Sequence, residues 1–147
     1  MKIITGSLLP LAAVLAAISL QAGGGFWIEF GNPTASKDPK AKDAAVVVRA
    51  LGRHHPEQAT YTGTAEGVVD GRRQSIRLKF VALTQPGLFA VARSWPVEGR
   101  WVLHIRSSKD GMAAEALARV ARDGTVERPA KQQHGAIDSR MVEKALE

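Results

Sequence analysis

Residues 86–105 read PGLFAVARSWPVEGRWVLHI, two short runs of alternating apolar residues separated by Pro96, Val97, Glu98 and Gly99, and they hold two of the chain's three tryptophans. A pleated, half-buried surface favours aromatic and β-branched side chains. Pro lacks a ladder donor and Gly tolerates unusual dihedrals, so the stretch reads as strand, tight corner, strand. Trp101, Leu103 and Ile105 fall on one side, and Arg100, Val102, His104 and Arg106 on the other. Phe89 and Val91 are the inward residues of the preceding strand, but a four-residue loop would pair the two runs out of phase. Either the loop takes five residues, Trp95 to Gly99, or the connection crosses to a second sheet, as the corners of β-sandwiches do. Alternation points Arg93 inward, where its guanidinium lies over Trp95 or Trp101, or is solvated beside a bulge.

Upstream, Asp70-Gly71 sits between two further alternating runs. Asp-Gly is a strong two-residue turn signal because both turn positions need positive φ. The register it imposes pairs Val69 with Arg72, Ala65 with Ile76, Gly63 with Leu78 and Tyr61 with Phe80 on a core face. It leaves Thr62, Thr64 and Glu66 against Lys79, Arg77 and Ser75 on a polar one. A slip of one residue would bury Arg77 and Lys79, so pattern and turn agree on one register. Val46 to Val48, within Ala44 to Ala50 and bounded by Gly52, reads as the first strand. Ala113 to Ala121 is Ala-rich and has helical propensity, yet Asp123-Gly124 followed by Thr125-Val126 is a hairpin signal, and strand, turn, strand is the expectation there. Asp138 is placed to cap a short helix in which Ile137, Met141, Val142 and Ala145 share a side, to dock on the sandwich or fray.

The N-terminus bears on location. Lys2 is the only charged side chain before Glu29, and Ile3 to Leu20 is dominated by Leu, Ala, Ile and Val. A short positive region ahead of an apolar one has the form of a secretion signal, with cleavage after Ala22 or Ser19; Pro10 and Gly23 to Gly25 interrupt the run. The other reading is an uncleaved anchor in the inner membrane, since the uncharged stretch exceeds the roughly 20 residues that span a bilayer. The organisation expected is therefore a signal or anchor over 1–22, a linker over 23–43, a sandwich domain over 44–127 and a polar tail with a short helix over 128–147. The chain of 147 residues has no cysteine, which excludes disulfides, thiolate chemistry and Cys-ligated zinc. Its formal charge of +6 favours anionic surfaces or polyanions.

Gly87, Phe89 and Val91, followed by Trp95, Pro96, Gly99, Trp101 and Leu103, make a pattern that resembles the G-x-Y-x-V, W-P, G-x-W-x-L signature of small bacterial exported immunoglobulin-like domains of the YtkA and FixH type, with Phe89 where that pattern has Tyr. The resemblance spans roughly Val46 to Arg106 and implies an all-β, immunoglobulin-like β-sandwich of about seven strands. It also implies an accessory role in the cell envelope, in some members linked with copper or respiratory-oxidase assembly, and it carries no enzyme activity.

Copper prefers imidazole and thioether ligands, so the histidines are the candidate metal ligands. His54, His55 and His104 form the set to test, on the condition that the loop from Gly52 to Gln58 lies beside the strand of His104. Repeated Met and His motifs are absent, and His134 lies in the polar tail. Ser75, Ser94, Ser107 and Ser108 lack any nucleophile motif, and no phosphate-cradling loop is present. The residues thus point away from an enzyme. Arg77, Lys79, Arg100 and Arg106 offer a basic outer face, but no aromatic stacking set is interleaved with them, which argues against nucleic acid. The expectation is a non-catalytic, exported module, periplasmic or secreted. It binds an envelope protein or an anionic surface through this face, and contacts the membrane only if the N-terminal segment is retained. The alternative is a periplasmic copper-binding or copper-delivery protein.

Overall fold

In the computed structural model, which describes residues 25–127 and 136–147, alternating inward side chains build eight strands and one helix. The expected signal segment, 1–22, and His134 lie outside the described residues. One sheet has the order β1 (Trp27–Gly31), β2 (Ala44–Leu51), β6 (Leu88–Ala92), β5 (Phe80–Ala82). The other has the order β4 (Arg72–Arg77), β3 (Thr60–Val69), β7 (Arg100–Lys109), β8 (Met112–Val120). Every neighbouring pair is antiparallel. Lettered in chain order, these are sheets ABED and C′CFG, the strand order of an immunoglobulin-like sandwich. Among the described residues no helix is long and apolar enough to cross a membrane.

The additional strand is β1, inside the stretch 23–43 expected as a linker. Phe26, Ile28 and Phe30 are buried and pair that segment with β2. Their alternation is hidden in the sequence because it continues the uncharged N-terminal run. The polar residues after it do not form a loose connection either. Two 3-10 turns, Pro33–Ala35 and Pro39–Ala41, lay the chain back on the first sheet, and Ala41 is buried with Val47, Leu83 and Ala90. Asp38 fastens this flap. Its carboxylate accepts the Thr84 N–H at 2.6 Å and the Lys40 N–H at 3.0 Å.

At Asp70-Gly71 both φ angles are positive, 49° and 74°, and the pairs Val69 with Arg72 and Ala65 with Ile76 form as the turn demands. The pairing ends at Thr64 with Arg77, and the last main-chain bond runs from the Leu78 N–H to the Gly63 oxygen. The chain then changes sheets, so Phe80 pairs with Val91 of β6 rather than with Tyr61. The two rings still stack, with centroids 5.6 Å apart. The β6 to β7 connection also crosses between sheets, which settles the phase problem of that loop. Arg93 is exposed, with its guanidinium against Gly124 rather than over a tryptophan.

A second Asp-Gly turn, Asp110-Gly111, joins β7 to β8. The Ala-rich run is a strand whose Ala114, Ala116 and Ala118 face the core, while the turn at Asp123-Gly124 leads only to a single bridge between Val120 and Val126. The helix α1 (Ser139–Leu146) is capped by Asp138, which accepts the Met141 N–H at 2.9 Å. It docks rather than frays. Val142 and Leu146 are buried against Val102, with Val68, Leu117, Ile137 and Ala145 around them. Val102 points outward, as its alternation requires, yet is buried because the helix covers it.

In the core, Trp101 pairs with Gly67 across β3 and β7, and its ring occupies the space a Cβ at Gly67 would fill. Its indole N–H donates to the Glu98 carbonyl at 2.8 Å. Gly67→Ala is expected to cost about 1–3 kcal/mol by overpacking, read as a lower urea midpoint at unchanged slope. The Thr84 N–H, then that of Lys40, holds the Asp38 carboxyl below its ordinary 3.8. The stabilisation this gives is present above the unfolded value and is lost as pH falls through the folded one. Thermal stability should therefore fall below about pH 4, and Asp38→Asn should reduce that acid-side loss while lowering stability at pH 7.

Candidate functional site

The register of the second sheet sets its outer face in rows. Arg77, Thr64, His104 and Leu117 stand side by side across β4, β3, β7 and β8. The next row holds Thr62, Arg106 and Glu115. The preceding rows hold Ser75, Glu66, Val102 and Arg119, then Arg73, Val68 and Arg100. Helix α1 covers the apolar part, Val102, Val68 and Leu117. The remainder is a cleft of about 530 Å³, a volume within the range of ligand pockets.

The cleft exists because β4 leaves the sheet. Past Arg77 no strand flanks this edge of β3, and the vacated notch is lined by the half-buried Tyr61 and Phe80, with Leu78 buried at its base, next to the polar residues Thr62, Thr64, His104, Arg106 and Glu115. Gly63 in its lining has no room for a side chain, since a Cβ there would stand 2.6 Å from the His104 carbonyl oxygen. Tyr61 forms part of the apolar wall. Burial pushes its hydroxyl above 10.0, partly offset by the nearby Ser107 hydroxyl and Ala50 backbone. No hydrogen bond to either is completed. The phenol is therefore neutral in ordinary buffers.

Glu115 organises the rim. Its side chain is only 11% exposed, with one oxygen 3.6 Å from His104 Nε2 and 3.7 Å from Arg106 Nη1. The other oxygen accepts the Ile137 N–H, immediately before α1. At 3.6 Å the imidazole and carboxylate are not hydrogen-bonded, and His104 Nε2 is buried without a partner. Glu115 was not singled out in the sequence. Its signal is a lone acid at an outward position of an alanine-rich strand.

Of the four basic residues expected to act together, the structure brings Arg77 and Arg106 to one cleft. Lys79 is exposed but is not among the cleft-lining residues. Arg100 is six residues from Arg106, about 20 Å along the strand, and reaches the Glu147 carbonyl beyond α1. The neighbouring Arg73 is engaged with Glu143 at 2.9 Å, with Glu66 at 3.5 Å and with the Gly67 carbonyl at 3.1 Å.

The three histidines expected to form a metal set stand apart. His54 and His55 are exposed on the loop between β2 and β3, both left-handed, with φ of 63° and 59°. The His54 carbonyl accepts Lys109 Nζ at 2.6 Å, and His55 Nδ1 lies 3.0 Å from Glu57. The loop therefore sits at the end of β7, about 16 Å of strand from His104. Among the described residues no group of three or more His, Asp or Glu side chains is placed to hold a metal.

No family model matches the chain, and neither does any curated protein or solved structure.

A hydrogen bond to a charged acceptor contributes about 1.5–3 kcal/mol. Glu115→Ala is thus expected to lower stability by an amount of that order and to speed amide exchange in 139–146. Glu115→Gln, which keeps an acceptor for Ile137, should lose less in both measurements.

Proposed function

We propose that this protein is a non-catalytic binding module of the cell envelope that acts through contact with a protein partner. The observation that carries the reading is the pairing of Arg77 and Arg106 on the rim of an open cleft with an apolar wall. Fixed cations beside apolar surface suit recognition of a partner's acidic and apolar groups, giving orientation and specificity. The export signal read in Ile3 to Leu20 and the resemblance to YtkA- and FixH-type domains supply the envelope setting. The all-β sandwich is compatible with both, and as a scaffold it implies no chemistry of its own. The copper reading has less support, because its histidines are divided between a loop and the middle of β7.

The test is a comparison of proteins captured from envelope extract by the wild-type domain and by the Arg77→Glu, Arg106→Glu double variant. Loss of a specific partner in the variant, with retention by a His54→Ala, His55→Ala control, is the expected result. A partner held equally by the charge-reversed domain, or lost with the two histidines, would overturn the assignment of the surface.

A further inference from the structure

We propose that the occupant of the cleft is an extended acidic segment of the partner, whose carboxylate is taken by Arg77 and Arg106 while the next side chain, an apolar one, rests on the half-buried rings of Tyr61 and Phe80. This rests on the protein-binding reading above and adds the chemistry of the ligand.

Charge is the first argument. Arg77 is exposed and, among the described residues, has no ion pair or hydrogen bond. Arg106 is 52% exposed, and its 3.7 Å approach to Glu115 is longer than a hydrogen bond, so its donors remain available. Glu115 carries a single negative charge and stands 3.7 Å from Arg106, so it offsets one guanidinium at most and leaves Arg77 without a counter-charge. Two guanidiniums facing one cleft favour a carboxylate, which accepts their forked donors in pairs.

The second argument is the shape of the opening. The Leu78 N–H bonds to the Gly63 oxygen, and main-chain groups alternate sides along an antiparallel strand. The N–H and C=O of Tyr61 therefore face the same side, where no β4 residue follows. A segment entering there in extended form meets a free strand edge, the means by which sheets add a strand from a partner. Successive side chains of such a segment point to opposite faces. One faces the basic outer surface and the next the apolar wall, which fits an alternation of acidic and apolar residues. A lipid headgroup layer fits less well, because it needs a broad basic surface, and Arg73 and Arg100 are already engaged with Glu66, Glu143 and the end of α1.

The probe is a library of random eight-residue peptides, selected on the full domain and on Arg77→Gln and Arg106→Gln variants, with phosphatidylglycerol vesicles as a separate arm. The expected outcome is enrichment of sequences in which Asp or Glu adjoins Phe, Tyr, Leu or Trp. The best of these peptides should bind each variant about tenfold more weakly or worse. Enrichment without an acid, enrichment indifferent to the two arginines, no enrichment, or vesicle binding in place of peptide binding would each overturn the proposal. If capture from envelope extract still depends on Arg77 and Arg106 while the library gives no acidic sequences, the binding-module reading stands and this ligand class falls.

Discussion

Two consecutive residues with positive φ, Asp70 and Gly71, turn β3 into β4 with no residue to spare, and the parity set there is carried across the whole second sheet. A two-residue turn of this kind matches the right-handed twist of the strands it joins, so register and twist are imposed together. Because β3 also pairs with β7, the same parity places Gly67 beneath Trp101 and sets Thr64 beside His104. Through β7 and β8 it puts Glu115 on the outer face and the alanines of β8 inside. A shift of one residue between β3 and β7 would exchange the two faces of the shifted strand. It would drive the Trp101 ring out of the space that Gly67 leaves for it.

The outer face so defined is divided by burial. Where it carries Val68, Val102 and Leu117, helix α1 covers it with Val142 and Leu146, and burial of such side chains contributes about 1.5–3 kcal/mol each. Where it carries Arg77 and Arg106 it stays open, since covering the two guanidiniums would carry the cost of desolvating charge. Glu115 stands at the border and serves both halves, holding the main chain ahead of α1 and lying near Arg106. The arginines differ in the same way. Arg73, beside the helix, is paired with Glu66 and Glu143, whereas Arg77 four residues on faces solvent without a counter-charge.

Much of the sandwich is legible in the residues, and the parts that are not share a cause. The strands around Trp101 and the Asp70-Gly71 turn announce themselves through local alternation and turn chemistry, and so does the Asp138 cap. The strand β1 has the same alternation in Phe26, Ile28 and Phe30, but it adjoins a longer apolar run whose signal swamps period two. The Asp110-Gly111 turn carries the same dipeptide as Asp70-Gly71. It is harder to read because the alanines after it have helical propensity, and only cross-strand packing against β7 overrides that. Of the site, Arg77, His104 and Arg106 are recognisable as outward residues, while Glu115 and the Tyr61, Leu78 and Phe80 wall are not. Nothing local marks Leu78 as the residue where β4 abandons one sheet for the other.

By itself the sequence determined the all-β class, the inward and outward sides of most strands, the principal hairpin and the helix cap, because each depends on neighbours a few residues apart in the chain. The tertiary structure alone decided which strands share a sheet, that α1 buries an outward valine, that Arg77 and Arg106 meet at one cleft, and that His54 and His55 do not meet His104. Those outcomes depend on pairings between residues tens of positions apart. The pairings are selected by total burial and hydrogen bonding over the whole sandwich rather than by any local pattern.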